Sequence, residues 1–202
     1  TLTRTIGFQN PQAAHFNPID GRLYVGRRGT TSDGLYRIDP WGFAEKLAAA
    51  NDVAALVVDP VTGDVFVSED YGGAIYRTAF GTTGRQTWVS GFHAGDDDPI
   101  GMAVAPAGYI GDVLAPGEAL VVDRGYSGLD EIWAWSPRTP EGERVIHADA
   151  GILIEAVDIA ISDAHVYLVD EGGSANGVVY ELRAGGALAP VSKSEPLASP
   201  AG

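Results

Sequence analysis

The sequence has no cysteine, a single methionine, and only 13 basic side chains against 27 acidic ones in 202 residues. Without cysteine there is neither a disulfide framework nor a thiolate metal site, although this leaves the cellular compartment open. A net charge of −14 with no basic cluster repels polyphosphates, so nucleic acid is excluded as a natural partner. No apolar run approaches the roughly 20 residues that a membrane-spanning helix needs, so no membrane span is expected. Gly-rich nucleotide loops, Gly-x-Ser-x-Gly elbows and Asn-x-Ser/Thr acceptors are also missing from the sequence. The four histidines, His15, His93, His147 and His165, lack the i,i+4 or His-x-His spacing of a zinc site.

What the sequence does contain is one pattern repeated four times: "GRLYVGRRGTTSDGLYRIDP", "GDVFVSEDYGGAIYRTAF", "GEALVVDRGYSGLDEIWAWSP" and "AHVYLVDEGGSANGVVYELRAG". Each copy has a β-rich run, a polar Gly-containing turn, and a second run centred on Tyr36, Tyr76, Trp133 or Tyr180. Aromatic and β-branched residues bounded by Gly, Asp and Pro mark strands joined by hairpins. A continuous apolar run precedes each doublet and a wetter run follows it, giving four strands per copy. Copies recur about every 42 to 55 residues, the period of four-stranded propeller blades. The expected fold is therefore all-β, a β-propeller of four-stranded antiparallel blades. Four blades are visible, near 11–50, 51–92, 97–150 and 154–192.

Residues 43–57, "FAEKLAAANDVAALV", also suit a helix, because Ala, Leu, Glu and Lys are strong helix formers. Their place in the repeat matches strands in the other copies, and consistency across copies outweighs local propensity. Blade three carries an insertion, "PAGYIGDVLAPGEA", that lengthens its first hairpin. Thr1–Phe8 aligns with the outermost strand of blade two, and reads as the outer strand of a closing or preceding blade. The propeller then covers residues 1–192. Residues 193–202 have the Ser/Pro/Ala composition of a linker.

Phrases such as "LYRIDPWGFAEKLA" and "VVDPVTGDVFVSED" resemble blades of the NHL-type and gluconolactonase-like β-propellers, over roughly residues 3–192. That resemblance implies a ring of five or more blades, whereas four copies are counted. The alternatives are a closed four-bladed ring or blades of a larger propeller, completed by residues outside this sequence, by self-association or by blades from another chain.

In a propeller the first strand of each blade lines the central channel, so residues at the strand starts converge. Those positions hold Asn10 and Gln12, Asn51 and Asp52, Asp97 and Asp98, and Glu155 and Asp158. Oxygen ligands of this kind suit Ca2+. Asn51, Asp52, Asp98, Glu155 and Asp158 are the candidate metal ligands, and the resemblance to gluconolactonase-like enzymes singles out Asn51, Asp98 and Glu155. The plainer reading of the same residues is turn formation, because Asn and Asp side chains hydrogen-bond their own backbone. The turns after the second strands carry Arg27, Glu69, Asp123, Arg124, Asp170 and Glu171, which are expected to pair between neighbouring blades. Trp41, Trp88, Trp133 and Trp135 are expected in core packing, with sugar stacking as the alternative.

The function expected from the sequence is a non-catalytic binding or scaffold module of an exported or surface protein, with no organic cofactor and possible stabilisation by Ca2+. Its partner would be a protein, small molecule or glycan on the loop faces. The alternative is a metal-dependent hydrolase of the lactonase type. A quinoprotein sugar dehydrogenase would need a basic or aromatic cofactor pocket, for which the sequence shows no cluster.

Overall fold

The computed structural model describes residues 10–29, 33–70, 72–92, 98–125, 130–140, 143–148, 152–172 and 177–191. Within them the chain forms four sheets, each an antiparallel meander of four strands in chain order. Blade 1 comprises β1 (Pro11–Phe16), β2 (Leu23–Arg27), β3 (Gly34–Ile38) and β4 (Ala44–Ala49). Blade 2 comprises β5 (Val53–Val58), β6 (Val65–Glu69), β7 (Ala74–Thr78) and β8 (Gln86–Ser90). Blade 3 comprises β9 (Asp98–Val104), β10 (Ala119–Arg124), β11 (Glu131–Trp135) and β12 (Arg144–Ala148). Blade 4 comprises β13 (Ala156–Ile161), β14 (Val166–Asp170), β15 (Val178–Leu182) and β16 (Leu188–Pro190). The chain is thus a β-propeller array, and the Ala-rich segment 43–57 is two strands with Asn51 and Asp52 between them.

Side chains alternate across each sheet, as a period of two requires. Val65 and Val67 pack with Tyr24, Leu35 and Val53 toward blade 1, whereas Phe66 packs with Met102, Val121 and Trp135 toward blade 3. A strand buried on both faces needs no polar stripe, which explains the unbroken apolar runs that open β6 (Val65–Val67) and β10 (Ala119–Val122). The outer strands β4 and β8 are wetter, exposing Glu45 and Lys46 in one and Gln86, Thr87 and Ser90 in the other. Every first strand has a register shift against its second strand near its start. Bulges of this kind increase local twist, which fans the blades around an axis.

The innermost strands pack in succession: β1 on β5, β5 on β9, and β9 on β13. No comparable contact joins β13 to β1 among the described residues. At β9 the approach is close, because a Cβ on Gly101 would lie 2.9 Å from the Asp158 Cα and 3.1 Å from the Val157 carbonyl oxygen. Side-chain locks reinforce the junctions. Trp88 donates its indole N–H to the Ser136 carbonyl at 2.8 Å, and Phe66 meets Trp135 edge-on with centroids 5.0 Å apart. The blade 3 insertion reaches blade 4, where Ile110 N–H donates to the Asp163 carbonyl at 2.7 Å.

In blade 4 the fourth-strand position belongs to β16, with Tyr180 opposite Pro190. The alignment of Thr1–Phe8 with an outer strand, and the linker reading of 193–202, lie outside the described residues.

Candidate functional site

At the end of the sheets where first strands begin, one acidic position recurs. Glu69, Asp123 and Asp170 occupy equivalent places at or near the ends of the second strands, and all three are buried. Asp170 accepts backbone N–H bonds from Ile154 at 3.0 Å, Glu155 at 3.1 Å and Gly172 at 2.7 Å. Glu69 accepts the Asn51 N–H at 2.5 Å and pairs with Arg85. Asp130 accepts the Ala156 N–H at 2.7 Å, linking blade 3 to the start of blade 4. Asp170, Glu69 and Asp130 therefore clamp the connections between blades, using charge-assisted bonds that are stronger than neutral ones.

An arginine–acid pair between blades 1 and 2 is formed by Arg28 and Asp70 rather than by the expected Arg27 and Glu69, and Glu69 instead pairs with Arg85 of its own blade. Arg28 also stands 3.8 Å from Asp52. Asn10 and Asp52 both adopt left-handed backbone, with φ of 50° and 46°, just before their first strands. Asn and Asp tolerate that conformation better than most residues, which accounts for their recurrence there.

The five candidate metal ligands are distributed as follows. Asn51 is exposed and Asp52 lies beside Arg28, both at the entrance to blade 2. Glu155 sits at the entrance to blade 4, its carbonyl accepting the Glu171 N–H at 2.9 Å. Asp98 opens β9 opposite Arg124, and its side chain lies outside the described residues. Asp158 lies deeper, within β13. Among the described residues no three His, Cys, Asp or Glu side chains are grouped so as to hold a metal ion.

A cavity of about 800 Å³ lies on the axis, lined by residues of all four first strands and the turns that follow them. Its walls include Ala14, Val57, Met102 and Ile159, with His15, Asp158 and Asp163 as ionisable groups. Water reaches Asp158 through the cavity, yet burial against the surrounding walls pushes its carboxyl above the usual aspartate range. The Ile159 N–H, donating to it at 2.8 Å, pulls the other way.

Around this end of the axis, one turn is built three times. Asn17-Pro18-Ile19, Asp39-Pro40-Trp41 and Asp59-Pro60-Val61 each begin a hairpin turn. In each, the Asn or Asp side chain accepts the N–H two residues on, at 2.9 to 3.0 Å. This Asx turn lifts the third residue off the sheet. Ile19, Trp41 and Val61 are consequently 49%, 70% and 54% exposed. Phe80 joins them at 38% exposure, and a Cβ on Gly63 would meet both Phe80 and Ile19 within 3.1 Å, so blades 1 and 2 share one apolar surface. The signal was in the sequence as repeated Asx-Pro-apolar triplets. Trp88 and Trp135 pack in the core as expected, but Trp41 does not, because it occupies a turn where no facing sheet covers it.

No protein-family model matches the chain. No curated protein matches it either. Solved structures do. The nidogen/laminin complex superposes with a TM-score of 0.71 at 12% identity, covering 92% of this chain and 66% of that one. A catalytically inactive virginiamycin B lyase from Staphylococcus aureus, solved with quinupristin, gives 0.70 at 13% identity, covering 96% and 59%. A putative gluconolactonase gives 0.60 at 15% identity, covering 91% and 63%. The chain thus spans less than two thirds of the length of each of these proteins. At such identities the shared property is the β-propeller fold, of which this chain forms four blades.

Proposed function

We propose that the chain is a non-catalytic β-propeller module of an exported or surface protein, and that it binds a protein partner on its hairpin face. The observation that carries this reading is the exposure of Ile19, Trp41 and Val61 on three Asx turns, with Phe80 exposed beside Ile19. Large apolar side chains displayed in this way mark interaction sites, and two of them, Ile19 and Phe80, come together over Gly63. The partner's matching surface is apolar with a Lys- and Arg-rich rim, because this chain carries a net charge of −14. The nidogen/laminin complex, in which this fold occurs, is a precedent for it within a protein–protein assembly.

The test is selection of peptides or small protein domains against the intact chain, followed by affinity measurement on a Trp41→Ser/Phe80→Ser variant. Loss of at least tenfold affinity, with an unchanged thermal transition, is expected. Ligands that bind the variant as well as the parent chain would refute the assignment.

A second reading, lactonase-type hydrolysis, is favoured by the elevated carboxyl of Asp158 inside the axial cavity and by the fold shared with a putative gluconolactonase. It requires lactone turnover that disappears in Asp158→Asn. Calcium held by Asn51, Asp52, Asp98, Glu155 and Asp158 is a proposal attached to either reading. The guanidinium of Arg28 beside Asp52 opposes it electrostatically.

A further inference from the structure

We propose that the two ends of the four-blade array bind one another in separate copies of the chain, head to tail, with blade 4 of one copy receiving blade 1 of the next. Each blade has a forward face toward the next blade and a backward face toward the preceding one. On the forward faces, Tyr24, Phe66 and Leu120 are buried in blades 1 to 3, whereas the equivalent Tyr167 of blade 4 is partly exposed. Likewise Leu35, Ile75 and Ile132 are buried, and their equivalent Val179 is partly exposed.

The backward faces show the reverse at their hairpin end, although Val25 of blade 1 is buried like its equivalents Val67, Val121 and Leu168. Val65, Ala119 and Val166 are buried in blades 2 to 4, while the equivalent Leu23 of blade 1 is partly exposed. Thr78, Trp135 and Leu182 are buried, while Ile38 is partly exposed. One chain therefore presents an apolar forward face at one end and an apolar backward face at the other. Three junctions within the same chain show how such faces pack. The chain does not satisfy the pair internally, because β13 and β1 make no comparable contact among the described residues.

A second copy is the occupant that supplies both missing halves in the form the repeat already uses. The contact joins different surfaces on the two partners, so it is heterologous and builds rings or open chains. It is separate from the apolar turns of the hairpin face.

Sedimentation and light scattering across a concentration series test this, using the chain with Leu23→Glu or Val169→Lys. The unmodified chain is expected to gain mass with concentration, and each variant to stay monomeric. An equimolar mixture of the two variants is expected to form dimers and stop there, because one intact forward face and one intact backward face remain. That rescue also shows that both variants fold. Should either unfold, Ile38→Glu and Val179→Lys carry the same test. A monomeric unmodified chain, variants that associate like it, or a mixture that stays monomeric would each overturn the proposal.

Discussion

The side-chain amide of Asn17 donates to the Gly63 carbonyl at 2.9 Å, joining the first hairpin turn of blade 1 to that of blade 2. Asn17 is fully buried, and its Oδ1 accepts the Ile19 N–H at 2.9 Å. One side chain thus sets both the turn and its spacing from the neighbouring blade. Asn17→Ala leaves a buried donor and a buried acceptor unmatched, which costs about 1–3 kcal/mol. Urea unfolding should show that loss with an unchanged m-value; a change below about 0.5 kcal/mol would remove the lock from the account.

Gly101 is expected to tolerate no side chain. A Cβ there meets backbone of β13, which cannot swing aside as a side-chain tip can. Overpacking of this kind costs about 1–3 kcal/mol. Gly101→Ala should lower the thermal midpoint, and an unaltered midpoint would show that β9 and β13 are less tightly apposed.

Asp158 gives a pH dependence with a definite sign. Because burial raises its carboxyl in the folded protein, the folded state binds that proton more tightly than the unfolded chain. Stability from this group is present when it is protonated and is lost as pH rises through the folded value. Asp158→Asn mimics the protonated form and keeps an oxygen for the Ile159 N–H. The variant should melt higher than the parent at pH 7, and the gap should close as pH falls below about 3.9, the ordinary aspartate value. A gap of the same size at both ends would contradict the assigned cause.

The calcium proposal predicts that chelation lowers the thermal midpoint, since a ligand held only by the native state stabilises it. Asp98→Asn and Glu155→Gln should each reduce that effect. An identical midpoint with and without chelator removes the proposal and leaves the buried acids as clamps alone.

The architecture was legible because the repeat imposes the same burial on every copy. Val65, Phe66 and Val67 could be assigned to alternating faces from their sequence alone. Position along the axis was harder. The acids at the strand starts and the cavity lie toward opposite ends of the first strands, and only Asp158 is shared between them. Nothing in the local sequence separates an Asp that turns the chain from an Asp that binds an ion. Trp41 shows the same gap from the other side: an aromatic in a blade strand is core, whereas one placed after Asp-Pro is lifted into solvent. The distinction depends on the turn: of four Asx-Pro-apolar triplets in the sequence, three begin hairpin turns, whereas Asp98-Pro99-Ile100 opens β9.

The most direct test of the binding reading is hydroxyl-radical footprinting of the chain with and without a selected ligand, scored residue by residue. Protection of Ile19, Trp41, Val61 and Phe80, with Asp52, Asp70 and Glu171 at the opposite end unchanged, is the predicted result. Protection confined to the strand-start end, with Trp41 as reactive in the complex as alone, would contradict it.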